Sequence, residues 1–242
     1  MTEAVLQLSG VHTHIGQYHI LHGIDFVVPE GEITVLLGRN GAGKTTTLRT
    51  IMGLWRASRG EIIFAGQNLV ARETDQIARA GIAYVPENMG IFGGLTVREN
   101  MVLAARAGLF DHRRLDWLLD LFPPLRTFWD LPAVYLSGGQ KQMLSVARAL
   151  IEEHKLYLVD EPTKGIAPAI VDNMIAAFEE LKRARITVLL VEQNFEFASA
   201  LGDNAVVMDN GRVVDSSPMS ALAADATRQE ALLGLAFEAD RG

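Results

Sequence analysis

The sequence predicts an α/β fold with an antiparallel β subdomain near its N-terminal end and an inserted helical subdomain. Three observations carry that expectation. Ile33 to Leu37, Leu156 to Val159 and Ile186 to Val191 are short, continuous apolar runs, the pattern of strands covered on both faces. Apolar and polar residues instead alternate over Val5 to Leu8 and Ile24 to Val28, the period of a half-exposed antiparallel sheet. From Asn88 to about Leu150 the apolar residues recur at helical spacing.

The elements follow in order. Pro29-Glu30-Gly31 turns the alternating region into Ile33 to Leu37, and a helix is expected to start near Lys44 and to stop at Met52-Gly53. Glu61 to Phe64 and Ile82 to Val85 read as strands, and between them Thr74 is placed to cap a short helix that Gly81 ends. Thr96 and Glu99 spell a capping box ahead of a helix over Met101 to Ala107. Leu115, Leu118, Leu119 and Phe122 make the next apolar stripe, which Pro123-Pro124 breaks. Trp117, Phe122, Phe128 and Trp129 read as a small local core there. Pro168 opens a helix to Leu181. Ala205 to Met208 and Arg212 to Val214 flank Asp209-Asn210-Gly211, a hairpin signal because Asn-Gly tolerates a left-handed turn, and Ser217-Pro218 starts a last helical segment. No internal repeat or low-complexity linker divides the chain, so it reads as one unit over 1–242, with the helical subdomain at roughly 88–150.

Bulk properties narrow the class. With 49% hydrophobic and 21% charged residues the chain has the balance of a globular protein. No apolar run approaches the roughly 20 residues needed to cross a bilayer. No basic segment followed by an apolar stretch opens the sequence and there is no cysteine, which fits a reducing cytosol. A net charge of −7 argues against a broad basic footprint for nucleic acid. His12, His14, His19 and His22 crowd together, but without partners at metal-ligand spacing they read as strand and loop histidines.

The chemistry concentrates in three places. Gly38-Arg39-Asn40-Gly41-Ala42-Gly43-Lys44-Thr45-Thr46 follows an apolar strand. Its glycines let backbone N–H groups turn onto one anion, Lys44 brings a cation to the outer phosphates, and Thr45 offers a hydroxyl to Mg²⁺. Lys155 to Thr163 delivers Asp160 and Glu161 to the carboxyl end of another strand, where α/β folds place ligands. Adjacent strand residues point to opposite faces, so the two acids divide the work: Asp160 for the metal, Glu161 to orient or deprotonate water. Finally Ser137-Gly138-Gly139-Gln140, preceded by Leu136, stands at the mouth of a helix over Lys141 to Ile151, a second anion-ready helix N-terminus. One nucleotide needs a single such pocket. The economical arrangement gives the second device to the nucleotide of a neighbouring copy.

These three motifs, in this order, resemble the nucleotide-binding subunit of an ABC transporter over essentially the whole chain. The resemblance implies a P-loop NTPase (RecA-like) core, with ATP and Mg²⁺ as cofactors. It also implies a triphosphate sandwiched between the phosphate loop of one subunit and the Leu136-to-Gln140 motif of the other, with catalysis by Glu161 and Lys44. Tyr84 to Glu87, Ile91-Phe92, Leu95 to Asn100, Glu161 to Pro168 and Leu190 to Asn194 resemble subunits that serve branched-chain amino acid importers and the related urea and short-chain amide importers.

Some positions depart from the family's common pattern. Glu87 stands where many members have a glutamine that contacts Mg²⁺, and Gln193 holds the usual switch-histidine position, where it can hydrogen-bond a γ-phosphate but brings no cation. Ala167 replaces the aspartate of the loop after the acid pair. The place of the adenine-stacking aromatic holds Ile15, with Tyr18 nearby as the candidate.

The expectation is therefore an ATPase subunit, peripheral on the cytoplasmic face of the cell membrane. It pairs with itself or a homologous ATPase subunit, drives a separate integral permease and, through it, serves a solute-binding protein; nucleic acid is not a partner. Two rivals are a soluble ABC-type ATPase acting on nucleic acid or ribosomes and a module that binds ATP without hydrolysing it. Linked cassettes or a long coiled-coil insertion would mark the first, and neither is visible; intact Lys44, Asp160 and Glu161 oppose the second.

Overall fold

A computed structural model describes residues 3–234. The chain opens with β1 (Ala4–Ile15) and β2 (Tyr18–Pro29), an antiparallel ribbon, before β3 (Ile33–Leu37) and α1 (Lys44–Ile51). Next come β4 (Ala57–Phe64), β5 (Gln67–Asn68), α2 (Thr74–Arg79) and β6 (Ile82–Val85). The helical stretch holds α3 (Val97–Ala104), α4 (His112–Leu121), α5 (Pro123–Thr127) and α6 (Gly138–Leu150). The α/β alternation resumes with β7 (Leu156–Asp160), α7 (Pro168–Arg183), β8 (Val188–Val191) and α8 (Phe195–Leu201). The hairpin β9 (Asn204–Asp209) and β10 (Arg212–Pro218), then α9 (Met219–Ala223) and α10 (Ala226–Leu233), complete it.

Two sheets result. An antiparallel sheet runs β2-β1-β4-β5, and a six-stranded sheet runs β10-β9-β3-β8-β7-β6, parallel except for its edge strand β10. The continuous apolar strands are explained by burial on both faces. In β3, Ile33, Val35 and Leu37 join a core with the helices, while Leu36 joins a second core with the antiparallel sheet and α1. The expected turn at Pro29-Glu30-Gly31 thus carries the chain from one sheet to the other.

Several local expectations shift. The alternating segments Val5 to Leu8 and Ile24 to Val28 are parts of strands 12 residues long. Glu73, not Thr74, caps α2, in a reciprocal box with Gln76. The box of Thr96 and Glu99 is formed, but its helix begins at once with Val97 and ends at Ala104. Pro123-Pro124 ends one helix and opens another, since proline tolerates the first helical turn. Phe122 lies in the main helix-side core and Trp117, Phe128 and Trp129 pack against it, so the aromatics extend that core rather than form their own. Among the described residues no helix is long and apolar enough to cross a membrane.

Candidate nucleotide site

The site is assembled at the carboxyl edge of the parallel sheet. Because β8 lies between β3 and β7, three consecutive exits converge there: the phosphate loop, the segment from Glu192, and the acids Asp160 and Glu161. Gly38 has φ 146°, and a Cβ on it would stand 2.2 Å from the Met208 carbonyl oxygen, so glycine is required where the loop leaves β3. Gly43, also left-handed at φ 104°, is the N-cap of α1, whose first N–H groups thereby open toward the loop. The loop from Asn40 to Thr46, with Ile20, Glu87, Glu161 and Lys164, lines a cavity of about 310 Å³.

Lys44 is almost fully buried, and its Nζ donates to the carbonyls of Gly38 at 2.8 Å and Arg39 at 3.2 Å. It also lies 3.6 Å from Glu161, itself buried. Burial lowers the lysine's pKa, against the pull of Glu161. The loop's own carbonyls thus hold the ammonium where outer phosphates would take it.

Asp160 is buried at the end of β7. Its Oδ1 accepts from the Thr45 hydroxyl at 2.9 Å and its Oδ2 from the Tyr84 hydroxyl at 3.2 Å. Burial raises its pKa, opposed by these two hydrogen bonds, while burial beside it pushes the Tyr84 phenol up to about 12. Glu161 has left the strand with φ 47°, a left-handed conformation costly for a residue with a side chain. The acids are therefore separated by a backbone kink and not by strand alternation alone. Burial works to raise the Glu161 pKa, yet hydrogen bonds from Gln193 and Lys164 and the charge of Lys44 hold it below the usual range. Lys164 joins Glu161 at 3.2 Å and Glu87 at 2.6 Å, so Glu87 is ion-paired within the site. Gln193 bridges Glu161 Oε1 and Asn40 Oδ1 through its Nε2.

Other expected residues stand apart. Ser137 caps α6, its hydroxyl accepting from the Gln140 N–H while Gln140 accepts from the Ser137 N–H, so Gly138 and Gly139 form the first turn and not its mouth. Gly139 packs on Ile170: a Cβ there would sit 2.5 Å from the isoleucine Cγ2. The cavity around Lys44 is lined by none of Ser137 to Gln140. Tyr18, 65% exposed at the start of β2, is also outside that lining, whereas Ile20 is in it. The four histidines cluster, with His14 stacked on His19 at 4.1 Å between centroids and His22 tilted against His19 at 4.0 Å. Ala167 is the N-cap of α7, without a side-chain bond. Tyr84, Lys164, Ile20 and Glu192 join the site without a role expected from the motifs; a lone acid closing the apolar run of β8 is the available signal for the last.

A phosphate loop on a helix N-terminus, facing paired acids from the parallel strand next but one in the sheet, defines a nucleotide-binding ATPase core. The sequence profile of the ABC transporter family matches residues 21–164, and the chain belongs to that family. It is 40% identical, over 95% of its length and 100% of the relative's, to the high-affinity branched-chain amino acid transport ATP-binding protein BraG of Pseudomonas aeruginosa. It is 37% identical, over 81% of its length and 85% of the relative's, to the probable branched-chain amino acid transport ATP-binding protein LivF of Archaeoglobus fulgidus. The fold matches the ADP conformation of MJ1267, an ATP-binding cassette of an ABC transporter, with TM-score 0.81 at 24% identity over 97% of this chain and all of that one.

Proposed function

We propose that this chain is the ATP-hydrolysing subunit of an importer for branched-chain amino acids, acting as one half of a dimer on the cytoplasmic face of a membrane permease. The observation that carries the reading is the division of the site. Lys44, Thr45, Glu87 and Glu161 line one cavity, while the self-capped first turn at Ser137 to Gln140 lies outside it and is left for the nucleotide of a second copy. The pairing partner is a second copy or a homologous ATPase subunit, and a solute-binding protein delivers cargo to the permease.

ATP binding would draw Lys44 from the Gly38 and Arg39 carbonyls onto the outer phosphates. The donor set near Thr45 suits Mg²⁺: a hydroxyl and the carboxylates of Asp160 and Glu87 are hard oxygen ligands. When bound, Mg²⁺ supplies charge neutralisation on the phosphates. Glu161, ionised at neutral pH, accepts a proton from, or orients, the attacking water, and Gln193 offers an amide to the γ-phosphate from beside it. Ile20, which lines the cavity, and Tyr18, two residues before it, are the candidates to contact the base. The chain forms one cassette, with the helical subdomain over roughly 88–150 as its arm toward the permease. The segment from Asn88 to Asn100 and the adjoining hollow of about 540 Å³, lined by Leu95, Val102 and the exposed Leu103, would receive a permease helix.

Complementation tests this reading. In cells whose copy of the gene is deleted, the wild-type chain restores uptake of leucine, isoleucine and valine, and Lys44→Ala and Glu161→Gln do not. Restored uptake of urea or short-chain amides alone, or full uptake with either variant, would contradict it.

A further inference from the structure

The carboxylate of Glu192 is the most fully bonded acid near the site, and the chemistry above leaves it without a task. It follows β8, is 2% exposed, and is in salt-bridge contact with no cation among the described residues. Its Oε1 accepts from the Thr163 N–H at 3.1 Å and the Thr163 hydroxyl at 2.8 Å. Its Oε2 accepts from the N–H groups of Gln193 at 3.0 Å and Asn194 at 3.2 Å. Burying a carboxylate is costly unless donors compensate, and here four do. Burial raises its pKa, opposed by those bonds.

Those donors belong to two different loops. Thr163 lies two residues beyond Glu161, and Gln193 carries the amide that reaches Glu161 and Asn40. The left-handed backbone of Glu161 persists only if its surroundings fix it from both sides. Upstream, its N–H donates to the Val191 carbonyl at 2.9 Å; downstream, Thr163 is fixed by Glu192. Resting on the ATPase reading, we propose that Glu192 is a positioning residue for ATP hydrolysis: an anionic clamp that couples the loop bearing Glu161 to the loop bearing Gln193 and sets both against the γ-phosphate.

The chemistry of the clamp requires a carboxylate. A glutamine keeps one acceptor oxygen and turns an NH₂ toward N–H donors, so one of the two loops loses its bonds. The charges around the clamp are Lys44 from α1, Asp160 and Glu161 from the end of β7, and Lys164 beyond them. None replaces the lost acceptor.

Steady-state ATP turnover of the full chain, measured across the acid-to-neutral range with unfolding temperature recorded for each variant, tests this. Glu192→Gln lowers kcat by about 10- to 100-fold, as misplacement of reacting groups does, and changes KM for ATP far less, because Lys44 keeps its own bonds to Gly38 and Arg39 and the clamp reaches the phosphate loop only through Gln193 and Asn40. It also flattens the part of the acid limb that Glu192 contributes. Thr163→Val lowers kcat and Thr163→Ser restores it, which keeps the test open should Glu192→Gln fold poorly. Adding Gln193→Ala to Glu192→Gln costs little more than Glu192→Gln alone, since both act through one amide. Variants with wild-type kcat and pH profile, or with an apparent kcat that falls only in proportion to the folded fraction, would overturn the clamp while wild-type turnover stands. A wild-type chain without turnover would remove the ATPase reading itself.

Discussion

The hydroxyl of Thr45 donates to Asp160 Oδ1 at 2.9 Å, tying the first turn of α1 to the end of β7 across a sequence separation of 115. This contact closes the side of the site proposed for Mg²⁺. Asp160→Asn keeps the shape and removes the charge. The Mg²⁺ concentration for half-maximal turnover then rises by about 10- to 100-fold, read from a Mg²⁺ titration of ATPase activity. An unshifted titration would place the metal elsewhere.

Lys44 brings a buried cation to the site. Lys44→Ala removes the only buried lysine of the described residues and leaves Glu161 without that cation at 3.6 Å. ATP affinity falls by about 10-fold or more, since charge-assisted contacts contribute about 1.5–3 kcal/mol each. Equilibrium dialysis with Mg-ATP checks it.

Gly139 tests how the first turn of α6, proposed as the second half-site, is held. Gly139→Ala forces a Cβ toward Ile170 and destabilises the packing of α6 on α7 by about 1–3 kcal/mol. Ile170→Ala in the same chain recovers part of that loss, measured by urea unfolding. No recovery would mean that the glycine serves something other than this contact.

The histidine stack gives a pH dependence with a definite sign. Burial, then the charge of His19, lowers the pKa of both His12 and His22; His14 and Arg212 act the same way on both, and Arg59 on His12. Their folded-state pKa values lie below the unfolded value near 6.5, so folding favours the neutral form. The associated stability is fully present above the unfolded pKa and is lost as pH falls through and below it. The unfolding temperature therefore declines from neutral pH toward pH 5, and His19→Gln reduces that slope. An equal slope in the variant would rule out the stack as its source.

What could be read from the sequence follows from burial. Val35 and Leu36 are both fully buried on opposite faces of β3, and such a strand announces itself as an unbroken apolar run. The phosphate loop and the acid strand were equally plain, because each needs specific residue types at fixed spacing. The ribbon of β1 and β2 was read short because register shifts after Leu8 and again around His12 reset the two-residue alternation. The cap at Glu73 was missed because glutamate is not among the favoured capping residues, and only Gln76 closing the box makes it serve. The kink at Glu161 and the clamp at Glu192 were hidden for a different reason. Both depend on β8 lying between β3 and β7, a long-range pairing that no local pattern encodes.

One nucleotide held between two chains is what the proposed function requires, and sedimentation of Glu161→Gln with saturating Mg-ATP tests this most directly. With hydrolysis blocked and Lys44 and Ser137 intact, the variant should sediment as a dimer and return to monomer when ATP is replaced by ADP. A variant that binds Mg-ATP at full occupancy yet sediments as a monomer at every concentration would contradict it.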